Sequence, residues 1–232
     1  MDKINELKEN YSLKKDKIKE RLNEFQKFFN EPYSWFYSNN EMKLTAVETP
    51  ADYRIFEELC FCIFTANASA EMGMRAVDAV RHILINGDAS DMTKRLEGIY
   101  RFVNLRPAYI VHSREYLKKN HNFELKNKIK SFDDMNKLRD FFAVNDGIKG
   151  LGYKEASHFL RNIGFKGYAI LDKHIINSLF EFGVLETNGK PKNAKEYFIM
   201  EQKFKDFSKD AGIDMDELDL LLWSRKNGRI LK

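Results

Sequence analysis

The chain has 232 residues, 43% of them hydrophobic and 32% charged, enough apolar material for one compact unit or two small subdomains, and a composition that excludes a disordered chain. No uninterrupted apolar run approaches the roughly 20 residues that span a bilayer, and the charged start from Met1 to Asn10 is unlike a secretory signal, so no membrane partner and a cytoplasmic location are expected. The net charge of +4 permits nucleic acid as a partner without identifying one, and two cysteines, Cys60 and Cys62, exclude a disulfide framework or a four-thiolate metal site.

Helical periodicity dominates and alternating runs are few, which predicts a nearly all-α protein. Residues 1–30 are rich in Lys and Glu, with Ile18, Leu22, Phe25, Phe28 and Phe29 at helical spacing, as expected of a surface helix packed by one face. Arg54 to Ala66, RIFEELCFCIFTA, is apolar almost all round and predicts a central buried helix that ends in the polar turn Asn67-Ala68-Ser69. Amphipathic helices are expected at 71–85, 91–103 and 107–119, with Pro107 at a first helical position. Ser131 and Asp134 form a capping-box pattern for the next helix, which is expected to bury Met135, Leu138, Phe141 and Phe142. Tyr153 to Asn162, with Ala156, Phe159, Leu160 and Ile163 inward, makes another, stopped by Gly164. Further helices are predicted at 173–182, near 193–210 and at 214–226, the last with Asp214 and Glu217 placed as a capping box.

Between two of these helices lies Asp146-Gly147-Ile148-Lys149-Gly150-Leu151-Gly152-Tyr153-Lys154. Glycines allow positive φ and let backbone N–H groups approach a ligand, so a Gly-rich turn that opens a helix suits a phosphate; a plain helix-to-helix turn is the alternative. Downstream stands Ala169-Ile170-Leu171-Asp172-Lys173-His174-Ile175, in which Asp172 is placed to cap the helix that follows.

Together these two segments resemble the helix-hairpin-helix, Gly/Pro and Asp motif of DNA glycosylases. The resemblance implies that the hairpin, with Gly147, Gly150 and Gly152, holds DNA phosphates through its backbone, with a monovalent cation as a possible companion and no other metal or cofactor. It also implies that Lys154 is the nucleophile of a glycosylase that doubles as an AP lyase, with Asp172 as its partner carboxylate. A neutral Lys amine can attack the sugar C1′, displace the base and form a Schiff base, after which β-elimination breaks the strand. An ordinary lysine, with a pKa of roughly 10.4, is almost fully protonated at neutral pH, so such a site must desolvate the amine or place positive charge nearby.

FEELCFCIFTANASAE, GIKGLGYKEASHFLRNIG, AILDKHI and the tail ELDLLLWSRKNGRILK are similar to the compact archaeal-type 8-oxoguanine DNA glycosylase/AP lyases. This likeness covers most of residues 54–232 and implies double-stranded DNA containing 8-oxoguanine as the substrate, with the lesion flipped into a pocket. Asp219 and Trp223, four apart on one helix face, would then accept hydrogen bonds from the purine Watson–Crick edge and pack near the ring, while Lys232 lies beside the damaged base. The plain alternatives are a solvated Asp219, a core Trp223 and a frayed Lys232. An acceptor for the N7–H of the lesion would be left unpaired by guanine, a penalty on the order of 1–3 kcal/mol. Asn67 corresponds to the place where relatives insert a polar side chain into the hole left by the flipped base, or else it caps its helix; Arg106 is a candidate contact to the orphaned base or a phosphate.

No cysteine follows Cys62, so the iron–sulfur loop of endonuclease III-type relatives is absent. The expected layout is all-α: residues 1–53 as N-terminal helices packed on the C-terminal part, 54–167 as a helical barrel that holds the helix-hairpin-helix (133–164), and 168–232 as the catalytic Asp helix with the C-terminal helices. The active site is expected in the cleft between the two subdomains, in a monomer. The same chemistry on another oxidised base, or a noncatalytic hairpin that only grips DNA, are the competing readings.

Overall fold

The structure, a computed structural model, describes residues 3–39 and 41–232, with the backbone alone at 226 and 227. Its elements in chain order are α1 (Lys3–Asn30), β1 (Tyr33–Ser38), β2 (Glu41–Ala46), α2 (Ala51–Thr65), α3 (Ala70–Val80), α4 (Ala89–Leu96), α5 (Leu105–His121), α6 (Leu125–Lys130), α7 (Met135–Ala143), α8 (Tyr153–Asn162), α9 (Lys173–Glu181), α10 (Ala194–Ala211) and α11 (Met215–Asn227). The all-α expectation holds apart from one antiparallel hairpin, in which Tyr33 pairs with Ala46 and Ser38 with Glu41. None of the described helices is long and apolar enough to cross a membrane.

Helix α2 is the axis of the molecule because its sequence leaves it no polar face. From Arg54 to Ala66 only Glu57 is not buried, and α3, α5, α6 and α8 pack around it. Its last carbonyls, which have no partner within the helix, are taken by side chains from the segment before and at the start of α5: the Tyr100 hydroxyl donates to Phe64 O at 2.6 Å and Arg106 to Ala66 O at 2.9 Å. Helix α1 buries Leu7, Ile18, Phe25, Phe28 and Phe29, with Leu22 half-buried, and lies across α8 and α11. The expected helix over 1–30 is therefore seen from Lys3; residues 1 and 2 lie outside the described residues.

Several expected boundaries differ. Residues 31–50 hold the hairpin rather than a helix, and α2 starts at Ala51, so the expected break at 53/54 falls inside its first turn. The helix expected at 91–103 stops at Leu96, where Gly98 takes a φ of 73° and the chain turns until Leu105. That at 71–85 gives way after Val80 to a short 3-10 turn, Arg81–Ile83. Pro107 falls at the third residue of α5, still within the first turn, where a missing N–H is harmless. Asp134, not Ser131, caps α7, accepting from the N–H groups of Asn136 and Lys137, and Met135, in the first turn of α7, is exposed rather than buried. At α11 Asp214 caps, but the Glu217 carboxylate receives the Tyr11 hydroxyl of α1 instead of closing a box. The short helix α6 was not expected.

Between α8 and α9 the chain runs through the core as an irregular segment, Tyr168–Leu171, all of it buried. No sheet is there to accept its backbone groups, so side chains do. Ala169 N donates to Glu201 Oε1 at 2.9 Å, the Tyr197 hydroxyl donates to Ala169 O at 2.6 Å, and Ile170 N donates to Asp219 Oδ2 at 3.3 Å. Glu201 is held in turn by a two-pronged pair with Arg139 of α7, at 2.8 and 3.0 Å. Removing one member of a buried ion pair strands the other, at about 3–5 kcal/mol. Glu201→Ala is expected to lower stability by about that amount in denaturant titration, and Glu201→Gln, which keeps an acceptor for Ala169, by less; equal losses would mean that the acceptor contributes nothing.

Candidate active site

The hairpin between α7 and α8 is built from inside. Gly147 lies so close to the Tyr116 ring that a Cβ would come within 2.2 Å of it, and its N–H donates to Asn145 Oδ1 at 2.8 Å. Of the three glycines expected to hold phosphate, this one serves the fold. Lys149 N donates to Ser113 Oγ at 2.9 Å, which ties the turn to α5. Gly150 adopts a φ of 88°, a conformation that L side chains rarely take, and exposed Gly152 is the N-cap of α8. Glu155 reaches back from the first turn to Gly152 N at 3.3 Å and also lies 3.0 Å from Lys154 Nζ, so one carboxylate closes the helix start and neighbours the amine.

Along α8, Lys154, His158 and Arg161 form a stripe at i, i+4 and i+7 that faces a cavity of about 540 Å³. Asp172, Asp219, Trp223 and Lys232 line the same cavity, so five of the residues singled out in the sequence converge although they span the last third of the chain. A second cavity, also about 540 Å³, opens beside it and is lined by Asn67, Lys173, Lys190 and Lys192; Lys154 and Asp172 belong to both. The amine and the carboxylate thus stand where a pocket meets a groove with basic walls.

Asp172 is the N-cap of α9, accepting from His174 N at 2.7 Å and Ile175 N at 2.8 Å. Both bonds fall on Oδ1, so capping uses one of its two oxygens. Asp219 is 5% exposed and Lys232 4%, which is neither a solvated helix residue nor a frayed tail, while Trp223 is half-buried, packed against the core and at the cavity wall. Asp219 pairs with Arg161 at 3.3 Å. Burial pushes its carboxyl up to about 7 against the pull of Arg161, and the charge of Asp172 adds to the rise. Burial lowers the Lys232 ammonium, partly offset by Glu58, whose Oε2 lies 2.6 Å from Nζ. Glu58 Oε1 accepts from Asn162 at 2.7 Å, so a carboxylate on the apolar central helix anchors both the chain tail and the end of α8.

Asn67 follows the end of α2 in a left-handed conformation, φ 61°, the geometry of a residue just past a helix end, and it is exposed and lines the groove. Arg106 is 6% exposed and bonded to Ala66 O, so it supports the Asn67 turn from behind rather than standing at the cavity. Glu58, His158 and Arg161 went unremarked in the sequence. Their signals were available: a carboxylate inside an all-apolar helix needs a buried partner, and the other two repeat Lys154 at helical spacing.

The chain matches the family model described as 8-oxoguanine DNA glycosylase over residues 38–213. It is 35% identical to the 8-oxoguanine DNA glycosylase/AP lyase of Methanocaldococcus jannaschii, over 99% of this chain and 98% of that protein, and 34% identical to that of Fusobacterium nucleatum, over 93% and 100%. The crystal structure of the Methanocaldococcus jannaschii 8-oxoguanine glycosylase/lyase in complex with a 15mer DNA containing 8-oxoguanine superposes with a TM-score of 0.82 at 31% identity, covering 100% of both chains. The glycosylase of Thermotoga maritima gives 0.80 at 29% identity, over 99% of this chain and 98% of that one.

The buried carboxyl generates a test. An aspartate in an unfolded chain titrates near ~3.9, and Asp219 in the fold near about 7. Between these values the native state holds the extra proton, so raising pH through the window pulls toward the unfolded chain. Asp219→Asn removes this titration. Measured by denaturant unfolding from about pH 4 to about pH 8, the stability of the variant relative to the original is expected to rise with pH and level off above 7; a difference that is flat in pH would show that burial does not raise this carboxyl.

Proposed function

The chain belongs to the 8-oxoguanine DNA glycosylase family, and we propose that it excises 8-oxoguanine from double-stranded DNA and then cleaves the strand, with Lys154 as nucleophile and Asp172 as its partner. One observation carries this assignment: Lys154 and Asp172 both stand at the junction of the pocket and the basic groove, where a nucleotide turned out of a duplex on the groove would present its sugar.

The amine of Lys154 attacks C1′, the bond from C1′ to the base breaks, and its electron pair leaves with the base, which takes up a proton. Opening of the sugar ring yields the Schiff base between Lys154 and C1′, and loss of the proton at C2′ expels the 3′ phosphate. The free oxygen of Asp172 supplies negative charge as the sugar becomes cationic, and its capping bonds hold it in place without reorganisation. Lys154 is partly exposed, lies 3.0 Å from Glu155 Oε1, and shares its pocket with Arg161 and Lys232.

In the pocket, Asp219 accepts from the purine N–H groups, Trp223 packs against the ring and Lys232 closes the far wall. A purine edge brings donors to a carboxylate that burial otherwise disfavours, which gives the raised Asp219 a use. In the groove, Lys173, Lys190 and Lys192 face the strand's phosphates, with Gly150 and Gly152 at the hairpin, and Asn67 stands where the flipped base leaves its hole. One copy suffices for these contacts, so the working unit is a monomer.

The test is borohydride trapping on a duplex with one 8-oxoguanine opposite cytosine, beside an undamaged duplex and one with an abasic site. The original protein is expected to form an adduct on the 8-oxoguanine and abasic duplexes only, and Lys154→Gln on neither. Asp219→Ala is expected to lose 8-oxoguanine release while still trapping the abasic duplex. An adduct with the abasic duplex alone in the original protein would retain the lyase step and overturn the lesion assignment.

A further inference from the structure

We propose that Trp35 is a positioning residue for base selection: its ring, carried by strand β1, holds the Lys232 ammonium in place, so that the N-terminal part of the chain seats the tail that walls the base pocket. This rests on the base-pocket assignment above and adds a residue to it.

The tail needs a seat because two cavities border it. Arg229, Leu231 and Lys232 line the base pocket, while Arg229, Ile230 and Leu231 also line a further cavity of about 720 Å³ that α1 and β2 bound. Residues 229–232 follow the end of α11 without secondary structure. A strip of chain beside two cavities, with no ladder of hydrogen bonds, is not fixed by close packing, so its place depends on the few groups that grip it.

The ammonium of Lys232 lies 2.6 Å from Glu58 Oε2, 4.0 Å from the centre of the Phe61 ring and 5.1 Å from the centre of the Trp35 ring. Glu58 and Phe61 both belong to α2. A carboxylate and a ring on one helix still let an ammonium shift over the surface of that helix; a ring on a different element restricts the shift, and a buried cation within about 6 Å of an aromatic face is attracted to it.

Trp35 is itself firmly set. It is 1% exposed, its ring packs on Phe25 of α1 with centroids 5.8 Å apart, and its main-chain oxygen accepts from Arg81 at 2.9 Å. Arg21 of α1 lies over the same ring, 5.0 Å from its centre, and donates a long hydrogen bond of 3.5 Å to Ile230 O, two residues before Lys232. Each cation keeps its own carboxylate, Glu24 at 2.7 Å for Arg21 and Glu58 for Lys232, so one indole serves two ion pairs.

The residue type fits this use. A buried indole N–H normally finds an acceptor, and that of Trp35 has none among the described residues. A phenylalanine would avoid that cost. What the indole adds is the aromatic face that attracts a cation best.

The experiment is a double-mutant cycle. Trp35→Phe and Trp35→Leu are made in the full chain and again beside Lys232→Met. Two single-turnover rates are measured for each protein: release of 8-oxoguanine opposite cytosine, and cleavage of a duplex with a preformed abasic site. With Lys232 present, Trp35→Leu is expected to slow base release by about tenfold and Trp35→Phe by about threefold, while abasic cleavage falls by no more than about twofold. Beside Lys232→Met neither substitution is expected to slow base release further, because the group through which Trp35 acts is gone. Equal slowing in both backgrounds would overturn the proposal and leave Trp35 as a core residue. So would Trp35 variants that keep the original ratio of the two rates. Trp35→Phe alone decides if Trp35→Leu does not fold. A Lys232→Met chain that releases 8-oxoguanine at the original rate would overturn the pocket assignment itself, and that outcome is read with Trp35 intact.

Discussion

The structure turns on a short piece of backbone that crosses the core without belonging to a helix or sheet. Residues 168–171 are buried, and buried N–H and C=O groups must find partners. A sheet would supply them from other backbone, but here Glu201, Tyr197 and Asp219 supply them from side chains on α10 and α11. Each of these brings a charge or a hydroxyl into an apolar interior, and each charge then needs a counterpart: Arg139 for Glu201, Arg161 for Asp219. The buried pairs Arg139–Glu201 and Arg161–Asp219 follow from that single stretch, and so does the position of Asp172, the next residue along.

The same constraint explains why the pocket is electrostatically tense. Asp219 accepts from Ile170 and Arg161, yet burial outweighs both and lifts its carboxyl to about 7. A fold selected only for stability would neutralise or remove such a group. Glu58 is another, placed on the most apolar helix of the chain to receive Lys232 and Asn162. In the proposed function both become intelligible: Asp219 gains further donors when a purine edge arrives, and Glu58 holds the residue that closes the pocket.

How far these features could be read beforehand depended on whether they were local. The hairpin glycines, Lys154 and the cap at Asp172 lie within short spans where spacing carries the chemistry, and the buried helix at 54–66 is visible from composition alone. The β-hairpin at 33–46 was missed because its strands are short and its aromatic residues alternate poorly, Ser34 and Trp35 being both buried. Met135 shows the limit of periodicity, which assigns a face but not what stands opposite it. The partnership of Glu58 with Lys232 spans 174 residues, and no local pattern reports a contact of that kind. The lone carboxylate in an apolar run announced that a partner existed, not which one.

Helix α8 shows how one element can serve two tasks without compromise between them. Its N-terminus is fixed by the hairpin, which α5 holds through Ser113 and Tyr116. Its stripe of Lys154, His158 and Arg161 then advances by 1.5 Å per residue, about 10 Å from first to last. In the proposed function α8 therefore spans the nucleotide, with the amine at the sugar and the guanidinium on the carboxylate that meets the base edge. Because α8 is packed on α1, α2 and α7 as one unit, a shift at the hairpin would move all three positions together, and in the proposed function this couples backbone grip, bond cleavage and base selection through one helix.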